Sequence, residues 1–155
     1  ITLVLFNVFG IFIDPILQAW LGEFDLSSIE DIRGDLVGYI VLMVIMWVFA
    51  AFGEEFLFRG YYMKALAELL GNNNKAWLLS AFITSLYFGV SHAYQGLVGV
   101  VSVFLWSFSI SLIFNKNRNN LLLLVLIHGF YDSLGITLIF LNKDHVISDW
   151  VQQMF

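Results

Sequence analysis

The sequence contains no cysteine and a single proline, and only 12% of its 155 residues are charged. The missing cysteine excludes disulfides and thiolate metal sites and leaves no mark of a redox compartment. Soluble domains carry roughly 25% charged residues, so about half of the usual charge is absent. A net charge of -5 supplies no basic surface, and nucleic acid is therefore not an expected partner. The chain opens at Ile1, without Met and without a basic stretch ahead of its first apolar run. That start does not fit a signal-peptide precursor and reads as an excised or truncated piece, which leaves room for further spans. What fills the sequence instead is apolar: 60% hydrophobic residues, 17% aromatic, and a mean hydropathy of +0.85. These proportions predict an all-α, polytopic membrane helical bundle forming a single membrane domain over residues 1–155.

Four transmembrane helices are expected, together with an N-terminal apolar segment. Residues 36–53 form an uncharged run long enough to cross about 30 Å of hydrocarbon. Residues 76–115 carry no charge other than one that His92 can take and are long enough for two spans, joined within 93–99, where Ala-Tyr-Gln-Gly-Leu-Val-Gly supplies polar and glycine positions. A fourth span runs over about 120–141. Residues 1–21 are apolar but interrupted by Asn7 and Asp14-Pro15, as in the remnant of an earlier span or an interfacial helix. The acidic stretch 23–35 and the tail 142–155 read as surface pieces. Five of the seven basic residues, Arg59, Lys64, Lys75, Lys116 and Arg118, fall in or beside the connections 59–75 and 115–120. The positive-inside rule places those two connections in the cytoplasm.

Ionisable residues at such depth need a reason, because a central charge costs about 2.5–3.5 kcal/mol even on lenient insertion scales. Glu54 and Glu55 stand side by side with Arg59 beyond them, and His92, His128 and Asp132 follow on later segments. Positions i and i+4 share a helix face, so Glu55 pairs with Arg59, whereas Glu54 points about 100° away and is left as the free carboxylate, the candidate general base. His128 and Asp132 have the same i, i+4 spacing, which lets the carboxylate fix the imidazole tautomer. If 36–70 is one helix it measures roughly 50 Å and either projects from the membrane or breaks at Gly53 or Gly60. Gly71-Asn72-Asn73-Asn74 marks the following turn. A hairpin about that turn brings Glu54 and His92 to one level, each about 27 Å of helix away, and a simple count leaves His128 and Asp132 about two turns off that level.

The three elements Glu54-Glu55-Phe56-Leu57-Phe58-Arg59, Phe88 to His92, and His128 to Asp132 resemble, in order and spacing, the motifs of the CPBP family. These are the intramembrane endopeptidases that include type II CAAX prenyl proteases and the bacterial Abi or bacteriocin-processing proteins. Arg59-Gly60 and His92-Ala93-Tyr94-Gln95-Gly96 are similar to bacterial members, and the resemblance covers a protease core over 36–141. It implies peptide-bond hydrolysis within the membrane by a water that Glu54 activates with help from His92. It also implies that His128 and Asp132 serve oxyanion stabilisation. Prenyl proteases usually carry Asn where Asp132 stands, and an ionised Asp cannot donate a hydrogen bond, so Asp132 is either protonated or serves to orient His128.

Glu54, His92 and His128 also make up the donor set of a catalytic zinc site. With no His-Glu-x-x-His, and with family members better described as glutamic proteases, no metal and no other cofactor is the favoured expectation. The expected partners are a peptide or protein substrate, lipidated or not, and the lipid bilayer, and the expected location is multi-pass in a bacterial plasma membrane. Two other classes stay open: a non-catalytic membrane scaffold or immunity protein, and a proton-coupled transporter. The transporter is disfavoured by the lack of paired repeats.

Overall fold

A computed structural model of the chain describes residues 2–146 and 149, with side chains from Phe12 onward. Among the described residues there are helices and turns but no strand. Five long helices follow one another: α1 (Thr2–Leu21), α2 (Leu36–Leu69), α3 (Asn74–Ser91), α4 (Gly96–Lys116) and α5 (Leu121–Phe140). Single 3-10 turns lie at Glu30–Ile32 and Ala93–Gln95.

Local chemistry sets several of these boundaries. Asp35 caps α2 by accepting from the Val37 amide, Asn73 caps α3 by accepting from Lys75 and Ala76, and Asn120 caps α5 by accepting from Leu123. Between α2 and α3 the chain reverses through Gly71 (φ 101°) and Asn72 (φ 53°), left-handed positions that favour these two residue types. The expected turn at 71–74 is therefore where the chain turns. Helix α2 does not break at Gly53 or Gly60. It runs on, but its winding loosens to π-helical over Met46–Glu54 and again over Phe56–Met63. π-Helical hydrogen bonding normally appears as single turns and frequently at functional sites.

Helices α3 and α4 form the tightest pair, α2 lies against α3 and α5, and α1 rests on α4 and α5. Gly89 explains the closeness of the first pair, since a Cβ there would stand 2.6 Å from the Val100 carbonyl oxygen and 2.7 Å from the Phe104 Cβ. Ser80, Thr84 and Ser85 on α3 and Ser107 and Ser111 on α4 are buried, a polar seam in which the Ser85 and Ser111 hydroxyls lie 3.3 Å apart. Small and hydroxylated residues suit helix contacts in lipid, where packing and hydrogen bonding replace the hydrophobic drive. The outer face of α2 leaves Val37, Val44, Phe49, Phe52 and Phe56 exposed, which in water would be an aggregation hazard and in a bilayer is the lipid contact.

Among the described residues, three helices are long and apolar enough to cross a membrane: Leu36–Leu69 (34 residues), Ala93–Lys116 (24 residues) and Leu121–Phe140 (20 residues). The expected fourth, α3, is a helix, but it opens on Asn74-Lys75 and carries the polar seam, and it does not reach the same apolarity. The apolar N-terminal segment forms α1. The stretch 23–35 is more than a surface piece: its acids are exposed, but Ile32 is buried and Leu26 and Ile29 pack on the same core as Met46 and Ile136. Arg33 then reaches the tail, donating to both carboxylate oxygens of Asp144 at 2.6 and 2.9 Å. Of the expected surface tail, residues 147, 148 and 150–155 lie outside the described residues.

Candidate active site

Glu55 is the hinge of the π-helical segment, the one residue between its two stretches, and its side chain is fully buried. A buried carboxylate must be paired and hydrogen-bonded. Glu55 Oε1 accepts from Arg59 Nη1 at 2.8 Å, the expected i, i+4 pair, and also from His128 Nδ1 at 2.9 Å. Arg59, equally buried, spends its other donors on α4: Nη2 on the Ser107 hydroxyl and carbonyl at 2.7 and 3.0 Å, and Nε on the Ser111 hydroxyl at 3.2 Å. Its guanidinium also lies over the Phe88 ring. Arg59 thus welds α2 to α4, and Glu55 welds α2 to α5.

Glu54, one residue earlier, takes the opposite course. It makes no bond to Arg59 and lines a cavity of about 350 Å³ together with His92, Trp106, His128 and Asp132, a size within the range of ligand pockets. Its Oε2 stands 3.9 Å from His128 Nε2. The same nitrogen lies 3.3 Å from Asp132 Oδ2, so the His128 ring is flanked by carboxylates on both sides. His92 sits at the C-terminal cap of α3, where its Nδ1–H donates to the Phe88 carbonyl at 2.8 Å and leaves Nε2 as the acceptor nitrogen.

All six sequence-predicted residues therefore lie in one neighbourhood, but in two groups. Glu54, His92, His128 and Asp132 face the cavity; Glu55 and Arg59 stand behind it. The expected offset of His128 and Asp132 by about two turns is absent. His128 Nε2 stands beside Glu54 Oε2 and Asp132 lines the same cavity, because the level of α5 is set by how the turns and tilts of the bundle assemble rather than by residue counts. Among the described residues no group of three or more His, Asp or Glu is arranged to hold a metal ion. Of the donors weighed for zinc, His128 has a carboxylate at each nitrogen, while His92 keeps Nε2 and Glu54 makes no bond to Arg59.

Several residues of the cavity wall were not singled out from sequence. Asp14 of α1 lines it, accepting from the Tyr131 hydroxyl at 2.7 Å and from the Ser102 hydroxyl. The signal was present, an acid inside an apolar run, but it read as an interruption rather than as a group aimed inward. Trp106 gave no signal, since a tryptophan in a membrane helix is ordinary. Phe24, Leu26 and Ile29 cover one side of the cavity from the segment before α2.

Comparison with known proteins gives a consistent result. The family model described as type II CAAX prenyl endopeptidase Rce1-like matches residues 36–134. A protein of Mycoplasma capricolum subsp. capricolum, described only as an uncharacterized protein, is 35% identical over 103 residues, which cover 65% of this chain and 28% of that protein. The chain thus spans little more than a quarter of that relative. No solved structure matches the chain.

Proposed function

The chain belongs to the type II CAAX prenyl endopeptidase Rce1-like family of proteases, and on that premise we propose that it is an intramembrane endopeptidase that cleaves a peptide bond with a water activated by Glu54. One observation carries the proposal: of two adjacent glutamates, one is spent on an arginine and the other stands unpaired by any arginine on a cavity shared with both histidines. A general base has to be within reach of its water and not committed elsewhere. Glu54, with His92 holding the same water, removes a proton as the water oxygen attacks the scissile carbonyl. Glu54 then returns that proton to the departing amine. Asp132 and Glu55 orient His128, which polarises the carbonyl, and Arg59 holds Glu55 in place.

In this proposal no metal takes part, and the substrate is a membrane-embedded or membrane-anchored peptide, lipidated or not. Helix α3 serves as a fourth span, and the connections, which the helix bounds narrow from the expected 59–75 and 115–120 to 70–73 and 117–120, face the cytoplasm of a bacterial plasma membrane. A scaffold role would rest on the Arg59 network, which welds helices whether or not chemistry follows.

The deciding experiment compares membrane peptides from cells carrying wild type or Glu54→Gln, a change that keeps shape and removes the base. Cleavage products are expected in wild type only, at a rate about 10²–10⁴-fold above the variant. Identical peptide profiles would favour the scaffold. Full activity after exhaustive chelation is the companion expectation, and a loss restored by zinc would overturn the metal-free mechanism.

A further inference from the structure

Trp106 sits on α4, a helix that contributes none of the motif residues. Its side chain is 5% exposed and forms part of the cavity wall. The indole packs edge-on to the His128 ring, with centroids 4.7 Å apart and planes at 65°, and lies 5.5 Å from the Tyr131 ring. Its Nε1 is one of two buried side-chain polar atoms among the described residues with no hydrogen-bond partner. The other is Glu55 Oε2, an acceptor whose sister oxygen already takes two bonds.

An indole N–H can only donate. Buried Trp N–H groups nearly always find an acceptor, so an orphan beside a cavity points to an acceptor that arrives with a ligand. The chemistry proposed above calls for such a donor. As water adds to the scissile carbonyl, the carbonyl oxygen becomes an oxyanion that has to be met by hydrogen-bond donors. The acids around His128 only accept when ionised, His128 has one nitrogen, Nε2, for the carbonyl because Nδ1 is committed to Glu55, and the Tyr131 and Ser102 hydroxyls are committed to Asp14, so a second donor is wanting.

We propose that Trp106 is a further catalytic residue, whose Nε1–H donates to the substrate's carbonyl oxygen beside His128 as that oxygen becomes an oxyanion. This rests on the peptidase function proposed above. The electron pair of the carbonyl π bond moves onto oxygen as the water oxygen bonds to carbon, Glu54 takes the water proton, and the indole keeps its own. Collapse of the intermediate breaks the C–N bond, and the amine leaves with the proton held by Glu54. Because Nε1 is covered by its neighbours, peptide entry between Trp106 and His128 has to turn the indole toward the cavity.

The test uses protein reconstituted in vesicles and a peptide that wild type cleaves and Glu54→Gln does not. Trp106→Phe removes the donor and is expected to lower kcat about 10²–10³-fold, the loss typical of one oxyanion donor, with KM nearly unchanged. Should Trp106→Phe not fold, replacing Trp106 by benzothienylalanine, which exchanges only N–H for sulfur, carries the same expectation. Retention of more than half the wild-type kcat by either variant overturns the proposal. A loss shown by Trp106→Phe but not by the benzothienylalanine variant would mark Trp106 as packing alone. If no peptide separates wild type from Glu54→Gln, the peptidase function itself falls, and this role with it.

Discussion

The pairs Glu55–Arg59 and Arg33–Asp144 bring together the same two functional groups at nearly the same distance, 2.8 and 2.6 Å, in opposite surroundings. The first is sealed among α2, α4 and α5, with side chains 1% and 0% exposed; the second clasps two loops at the edge of the bundle, with side chains 31% and 22% exposed. In the interior each ion has lost its water, so pairing makes a large cost bearable more than it adds stability. At the edge water still solvates both ions, and the pair adds little beyond tying its two segments. Contact distance therefore says little about what either pair is worth. Burial decides it.

The largest effect should come from unbalancing the buried pair. Arg59→Leu leaves Glu55 with only His128 as a partner and strips Ser107 and Ser111 of their donor, and it is expected to cost about 3–5 kcal/mol of stability. Replacing both partners, as Glu55→Met with Arg59→Leu, should cost less, because no unpaired carboxylate is left behind and the loss is confined to the acceptor of His128 Nδ1 and the donor to the two serines. Thermal melting of the two variants in one detergent checks the difference. Equal losses for single and double variants would show that Arg59 acts through packing rather than charge.

An uncharged position on the same buried side gives an intermediate effect. A Cβ on Gly129 would lie 2.4 Å from Trp47 Cζ3, and the Trp47 indole is held by Ser133 at 3.1 Å and by an edge contact with Phe130. Gly129→Ala therefore pushes α2 from α5 next to His128, with an expected cost of about 1–3 kcal/mol. Because His128 is the next residue, peptidase activity should fall by more than stability alone accounts for. A melting temperature equal to wild type would mean that the Trp47 ring yields freely.

The contrast between these regions was only half legible in the sequence. Spacing alone predicted that Glu55 and Arg59 meet while Glu54 stays free, because an i, i+4 relation survives any modest change of winding. The turn at 71–74 was equally legible from Gly71 and its asparagines. The level of His128 was not, since it depends on two further turns of the chain and on helix tilt, which residue spacing does not set, and the π-helical winding of 46–63 was not announced by its residues either. Asp14 and Trp106 escaped for a related reason. Each is a single residue on its own helix, and only the assembled bundle turns it toward the cavity. Segment 23–35 misled through its charge: the acids mark its outer side, and Ile29 and Ile32 hold it down.

The smallest effect belongs to the edge clasp, and its pH dependence separates it from the buried pair. Arg33 donates to Asp144 and holds that carboxyl below its ordinary value of 3.8. A carboxylate depressed in the folded protein stabilises fully above the unfolded value and loses that contribution as pH falls through the folded one. Asp144→Asn should therefore lower the melting temperature slightly at neutral pH, by less than either buried-side variant. The difference from wild type should shrink below about pH 4 and disappear at still lower pH. Added salt should shrink it as well, because partly exposed charges are screened. A difference that persists unchanged in acid or high salt would show that Asp144 acts through its geometry, with Asn142, which also accepts from Arg33 at 3.1 Å, sharing the same anchoring role.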